Sequence, residues 1–462
     1  MQNQSPNILV FFTDQQRHDT TGVHGCPLDL TPHFDRLARA GTDVHYAFTP
    51  NPVCGPARAC IQTGTYASTN GTYINGLPLT RDLPHLATLL NQAGYHTGYI
   101  GKWHLADDHE EPGPVPENHR GGYQSWLAAN LLEMTSDEYH TRLWDESNEP
   151  VDLPGYRVDA LADASIRFIE QRVREHANQP FMLMTSFLEP HHQNHVDDYP
   201  PPDGYRERYE GAWIPPDLAA LGGSSQAHLG GYFGMVKRID EALGRMVDAL
   251  KSLGVLDNTV IAFISDHGCH FKTRNGEYKR SGHDASIRVP MMLHGGPFTG
   301  AGRIDQPVSL VDIAPTLLDI AGAAVPETMQ GRSLIPLIER DPATTASWPD
   351  DAYTQVSEQC WGRAVRTKRW KYILLADETE RAAELTGCFM SYREAELYDL
   401  RYDPHELTNL VSSDAHTPVR DAMRQRVRRW WSRLGEPDAT IIEPSNVRPM
   451  GQRRVMLSEV ME

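Results

Sequence analysis

Ile8-Leu9-Val10-Phe11-Phe12 runs without a polar break between Asn7 and Thr13-Asp14. A strand with one wet face alternates apolar and polar residues. A continuous run fits a strand covered on both faces, as in parallel sheets with helices on either side. Thr259-Val260-Ile261-Ala262-Phe263-Ile264 repeats the pattern, and residues 181–188 and 96–100 give weaker versions. Helical patterns lie between them. Thr31-Pro32 supplies an N-cap and a first-turn proline, and the run through Leu37 and Ala38 stops at Gly41. Over 232–253, Val236, Ile239, Leu243, Met246, Val247 and Leu250 recur at helical spacing before Gly254. This alternation predicts an α/β fold, a doubly wound and mostly parallel sheet flanked by helices.

The residues just after each strand matter most, because ligands of open α/β sheets bind outside the carboxyl ends of the strands. The four strands run into Asp14-Gln15, Gly101-Lys102-Trp103-His104, Glu189-Pro190-His191-His192 and Ser265-Asp266-His267-Gly268. A polar residue at one strand end only marks where the chain surfaces. Four such ends, each with acid–base or metal-ligand residue types, point to a site. Asp14, Asp266 and His267 offer oxygen and nitrogen without a thiol cluster, which suits Ca²⁺, Mg²⁺ or Mn²⁺, and Gln15 could add a carbonyl oxygen. Lys102 and His104, two apart on an extended segment, would point the same way. Together with Cys54, in the tight turn Cys54-Gly55-Pro56-Ala57-Arg58, they would suit attack on a tetrahedral anion.

The 462 residues exceed one typical core and suggest a catalytic domain over 1–340 and a smaller C-terminal α+β domain over 341–462. Asp341-Pro342-Ala343-Thr344-Thr345 reads as a linker. Strand-like runs follow at 352–356, 362–366 and 370–375, then a helix over 418–434. The tail 439–462 would pack on the body or on another subunit, a route to a homo-oligomer. Residues 107–157 and 191–231 read as long loops of the kind that cover sites. A formal charge of −18 disfavours nucleic acid as a partner. No stretch approaches the roughly 20 apolar residues of a membrane span. Six cysteines without a spacing framework, and a start without a basic leader pattern, lead to the expectation of a cytoplasmic protein.

Cys54-x-Pro56-x-Arg58 resembles the signature of the formylglycine-dependent (type I) sulfatases, within the alkaline phosphatase superfamily. The resemblance spans nearly the whole chain. It includes Gly22 to Gly41, Gly94 to Leu105, Ile287-Arg288-Val289-Pro290, Gly331-Arg332-Ser333-Leu334, and Leu397-Tyr398-Asp399-Leu400 with Asp403-Pro404, Glu406 and Asn409-Leu410. It implies an alkaline phosphatase-like fold and conversion of Cys54 to Cα-formylglycine by a formylglycine-generating enzyme or equivalent. It implies one divalent metal, Ca²⁺ before Mn²⁺ or Mg²⁺, on Asp14, Gln15, Asp266, His267 and residue 54. By the same resemblance Arg58 would steady the residue-54 hydroxylate, and Lys102 and Lys279 would bind sulfate oxygens. His104 would take a proton from residue 54, and His191 would lie near the leaving group. Gln15 and the Asp266-His267 pair are similar to the choline sulfatase and phosphonate monoester hydrolase branches. His283-Asp284 replaces a common Tyr-Glu.

The expected activity is hydrolysis of a sulfate monoester of a small organic or carbohydrate alcohol. The alternative is a phosphonate monoester or phosphodiester at the same site. A plain thiol nucleophile at Cys54 with His104 as base would leave Asp14, Asp266 and His267 unexplained. Cys54→Ala and Cys54→Ser should both abolish turnover and keep the wild-type circular dichroism spectrum. Unfolding of both variants, with activity in whatever folds, would make Cys54 structural.

Overall fold

The computed structural model describes residues 5–106, 111–376, 381–382, 387–445 and 456–461. Ten strands form the main sheet. In chain order they are β1 (Asn7–Thr13), β2 (Thr42–Val44), β3 (His96–Lys102), β4 (Ser125–Ala129), β5 (His140–Trp144), β6 (Pro150–Pro154), β7 (Phe181–Ser186), β8 (Thr259–Ser265), β9 (Met292–His294) and β10 (Gly302–Ile304). They lie side by side as β10-β2-β9-β8-β1-β7-β3-β4-β5-β6. β8, β1, β7, β3 and β4 run parallel, so the four strands read from the sequence are neighbours and end at one edge. Antiparallel pairs flank them, β9 with β8 and β2 on one side and β5 with β4 and β6 on the other.

β1 is buried along its whole length. Ile8, Val10 and Phe12 belong to one core cluster, and Leu9 and Phe11 to a second. Successive side chains point to opposite faces, so an unbroken apolar run requires cover on both. The first face is covered by α2 (Cys54–Thr63) and two further helices, and the second by α1 (Pro32–Ala40) and two others. Named in chain order, α3 (Leu86–Gln92) and α6 (Ile313–Ile320) join α2, while α4 (Arg157–Glu175) and α5 (Ser225–Ser252) join α1. α5 begins earlier than the 232–253 pattern indicates.

Three local expectations change. Thr31 occupies the N-cap position of α1 but makes no cap bond. Its hydroxyl donates to Asp35 at 3.4 Å and accepts from the Gly22 amide at 3.1 Å. The first-turn amides of His33 and Phe34 are instead bound by Asp240 of α5, at 2.9 and 2.8 Å. A helix start can be satisfied from a neighbouring helix, which the local sequence does not announce. Of the stretch 107–157, residues 107–110 lie outside the described residues, and 111–157 are less a covering loop than an extension of the sheet, since they contain β4, β5 and β6. The linker expected at 341–345 is a helix, Pro342–Ser347, capped by Asp341, which accepts from the Thr344 amide at 2.8 Å. Asp before Pro is itself a helix-start signal.

A second sheet begins at Asp351. Asp351–Val356, Gly362–Thr367, Trp370–Ala376 and Ser391–Asp399 pair antiparallel in that order, and Thr440–Ile442 adds a parallel edge. Part of the tail therefore packs on the body, and residues 446–455 and 462 lie outside the described residues. α7 (Thr417–Leu434) shares a core with this sheet, and Cys60, Tyr66, Ala67 and Val311 join the same cluster. α2 is thereby held between the two sheets.

Gly101 in β3 pairs with Ser186 in β7 and has φ 110°. An added Cβ would lie 2.0 Å from the Ser186 carbonyl oxygen. Gly101→Ala should therefore cost about 2–4 kcal/mol of stability, seen as a lower melting temperature, and should displace Lys102 enough to abolish turnover.

Candidate active site

Asp14 and Asp266 follow directly on neighbouring β1 and β8, and neither is exposed. Asp266 Oδ1 accepts from the Gln15 amide at 3.0 Å and the His267 amide at 2.8 Å. His267 Nδ1 lies 3.0 Å from the Gly268 carbonyl, which assigns the proton to Nδ1. Its Nε2 then faces Asp14 Oδ1 at 3.7 Å and Asp266 Oδ1 at 3.6 Å. Gln15, at φ 66°, donates from Nε2 to Tyr199 Oη at 2.9 Å and to Cys269 Sγ at 3.3 Å. Its Oε1 is buried with no hydrogen-bond partner. Burial and the neighbouring Asp14 push Asp266 up to about 6. Burial and Cys54 act to raise Asp14, yet Lys102, His191 and Arg58 hold it well below the usual carboxylate range.

Cys54 opens α2, so it sits in the first turn of a helix rather than in a tight loop turn. The helix N-terminus adds positive potential there. Cys54 is 1% exposed. Its Sγ lies 2.8 Å from Lys279 Nζ, 3.3 Å from His267 Nε2, 3.7 Å from Asp14 Oδ1 and 3.8 Å from Lys102 Nζ. Burial alone would raise the thiol, but Lys102, Lys279 and His267, with a bond from His104, take it well below its ordinary value. Arg58 is one helical turn further on. It donates to Asp14 Oδ2 at 2.9 Å, Asp266 Oδ2 at 3.3 Å, Ser186 Oγ at 2.8 Å and the Lys102 carbonyl at 2.9 Å. Its contacts are thus with the carboxylates and strand ends, behind the position that the resemblance implied.

Lys102 Nζ bridges Asp14 Oδ2 and Glu133 Oε1, both at 2.9 Å. Burial opposes a negative charge on Glu133, but Lys102, His104 and His191 bring its carboxyl down to about 2. β3 ends at Lys102, and His104 has φ 62°, so the chain has left the extended path. Both side chains still reach residue 54. His191 Nδ1 is fixed on the His192 carbonyl at 2.5 Å, and its Nε2 meets Lys279 Nζ at 3.2 Å. Cys54, His104, His191 and Lys279 line a cavity of about 390 Å³ together with Glu133 and Tyr278. Tyr209 and Trp213 pack instead into the core around Phe233.

Asp14, Cys54, Asp266 and His267 present ligand atoms within 4.8 Å of one another. With the orphaned Gln15 Oε1, this oxygen-rich set fits one divalent cation. Asp14, Gln15, Cys54, Arg58, Lys102, His104, His191, Asp266, His267 and Lys279 converge here, whereas Glu189 pairs with Arg157 and His192 with Asp197. Sequence reasoning missed Glu133, Asn75, Tyr199 and Cys269. Asn75 accepts from the Gly55 amide at 2.9 Å. None of the four lies in a motif with a spacing of its own, whereas Ser186, which closes β7, could have been found as a fifth strand-end residue.

This arrangement suits a hydrolase for a tetrahedral anionic ester, with a place for one cation. The sulfatase family model matches residues 6–323, and the chain belongs to that family of sulfuric ester hydrolases. The model for the C-terminal part of N-sulphoglucosamine sulphohydrolase matches 276–432. An N-acetylglucosamine-6-O-sulfatase of Bacteroides thetaiotaomicron is 26% identical over 98% of this chain and 90% of its own. A choline-sulfatase of Rhizobium meliloti is 26% identical over 88% and 83%. Among solved structures, a sulfatase-type protein of Bacteroides fragilis superposes with TM-score 0.79 at 24% identity, covering 95% of this chain and 97% of that one. The phosphonate monoester hydrolase of Agrobacterium radiobacter gives 0.69 at 22%, covering 93% and 96%, a likeness of fold alone.

Exhaustive chelation should abolish turnover and lower the melting temperature, because two buried carboxylates then face each other without their cation. Asp14→Ala should match the loss of turnover. Full activity in excess chelator, with no metal found by elemental analysis, would remove the ion from the chemistry.

Proposed function

We propose that the chain hydrolyses the sulfate monoester of a small organic or carbohydrate alcohol, with residue 54 as formylglycine and Ca²⁺ ahead of Mn²⁺ or Mg²⁺. The observation that carries this is the ring of positive groups around Cys54 Sγ at the head of α2, with Lys279 Nζ at 2.8 Å and Lys102 Nζ at 3.8 Å. Sγ stands where one oxygen of the hydrated aldehyde would sit after maturation by a formylglycine-generating enzyme or equivalent. Charge supports the reading. Arg58, Lys102 and Lys279 balance Asp14, Asp266 and Glu133, so the lining alone is near neutral. A divalent ion leaves room for two negative charges, one on the ester and one on the nucleophilic oxygen.

Bound by Asp14, Gln15, Asp266, His267 and residue 54, the cation would supply Lewis-acid stabilisation of developing oxygen charge. Lys102 and Lys279 hold the sulfate oxygens, and Glu133 orients Lys102. Arg58 locks the two carboxylates in place. His104 takes the proton that residue 54 releases. His191, anchored through Nδ1, accepts at Nε2 from the Lys279 ammonium at 3.2 Å and passes that proton to the departing alcohol oxygen. A cavity of about 390 Å³ has room for a small alcohol or one sugar ring. The sulfated sugar and choline named for relatives fall in the same size class. The proposal keeps the cytoplasmic location, which rests on cysteine usage.

The test compares kcat/KM for aryl sulfate, alkyl sulfate and phosphonate monoester substrates, with matured protein and a defined metal. Sulfate esters should be preferred, and faster phosphonate turnover would overturn the assignment. His191→Ala should slow alkyl sulfates by about 10²–10⁴, and aryl sulfates with good leaving groups far less. An equal loss on both would remove His191 as the proton donor.

A further inference from the structure

Past Gln15 the chain turns back along the sheet and brings three donors together away from the reaction centre. His24 closes the short turn Gly22–His24, Asp43 lies in β2, and His45 follows it. Asp43 in β2 and His45 in the turn just after it bring their side chains together. One ligand atom from each of the three falls within 4.8 Å of the others. β2 is three strands from β1, about 14 Å across the sheet at the usual strand spacing.

Two observations point to a ligand here. His24 Nε2, Asp43 Oδ1 and His45 Nδ1 are all buried, and none has a hydrogen-bond partner. The His24 side chain is only 1% exposed. The second observation concerns the aim of the His24 ring. Thr21 Oγ1 engages Nδ1 at 2.7 Å, which leaves Nε2 turned inward, 3.2 Å from Asp43 Oδ1. Arg288, bound to the His45 carbonyl at 2.7 Å, is an opposing charge. Asp43 offsets it, and Arg303 is already paired with Asp305 at 2.6 Å.

We propose that His24, Asp43 and His45 form a second metal site, for Zn²⁺ or an ion of similar softness. Two imidazoles and one carboxylate suit such an ion, whereas the oxygen-rich set around Asp14 suits a harder one. Water or His18 completes the shell. The buried Nδ1 of His18 also lacks a hydrogen-bond partner, and its ring lies 6.2 Å from that of His24. The bound ion staples the 22–24 turn, and with it the segment leading from Gln15, to β2.

The test uses full-length protein loaded with Ca²⁺, then equilibrated with Zn²⁺ or Co²⁺ and desalted. Elemental analysis should find one equivalent of transition metal beside the Ca²⁺. Co²⁺ should show the visible bands of a low-coordinate ion, and Zn²⁺ should raise the melting temperature. His24→Ala and His45→Ala should each lose that equivalent and the Zn²⁺-dependent rise, yet keep Ca²⁺ and turnover. His45 is only half-buried, so His45→Ala decides the matter if His24→Ala does not fold. A wild type that binds no transition metal beyond the Ca²⁺ site would overturn the proposal, as would a His45→Ala variant that binds as tightly as wild type. His24 and Asp43 would then be a plain ion pair.

Discussion

Parallel pairing of β1 with β8, with Thr13 opposite Ser265, forces Asp14 and Asp266 side by side in a dry interior. Two like charges about 4 Å apart repel by about 1 kcal/mol in water and by several times that near protein. The rest of the site answers this one constraint. Arg58 spans both carboxylates, Lys102 adds a second cation on Asp14, and the backbone amides of Gln15 and His267 bind Asp266. Because Arg58 must reach them from α2, the start of that helix is fixed as well, and Cys54 is placed one turn away. The position of residue 54 follows from the compensation of charge.

The second sheet reaches this arrangement through polar links. Gly55, beside Cys54, donates to Asn75, and the Asn75 amide donates to Glu358 at 2.7 Å. Glu358 in turn pairs with Arg280, the neighbour of Lys279. Nearby, Asp284 and Glu406 close on the buried Lys371, and Arg366 joins Asp284 at 3.2 Å. Buried ion pairs of this kind give little net stability, but breaking one is costly, so they favour a single seating of one part on the other. His283-Asp284, the departure from the common Tyr-Glu, lies within this junction. His283 pairs there with Glu396 at 2.7 Å.

The identity of β1, β3, β7 and β8 as buried strands and the convergence of their tips were legible because both depend on short-range signals: unbroken apolar runs and the ionisable residues at their carboxyl ends. The margins of the sheet were not. β4 to β6 sit inside a stretch with weak periodicity, and their identity as strands comes from pairing with an edge already formed. The partners of the site were hidden for a similar reason. Glu133 matters because it meets Lys102, and Tyr199 and Cys269 because they turn Gln15, contacts that join residues 31, 184 and 254 positions apart. Arg58 shows the opposite case. Its spacing from Cys54 was plain, but only the fold shows that its bonds go to the carboxylates.

The burial of Cys54 also sets a deadline. Its side chain lies at the floor of the cavity, hemmed in by Lys102, Lys279 and His267 and by the head of a helix gripped between two sheets. No second enzyme could close an active site around that sulfur in the finished molecule. Any processing of residue 54 by another protein has to happen while the 54–58 segment is still extended, before the second sheet, contributed by the last quarter of the chain, has been built against it. A chain that folds before any such processing would keep an ordinary thiol at position 54.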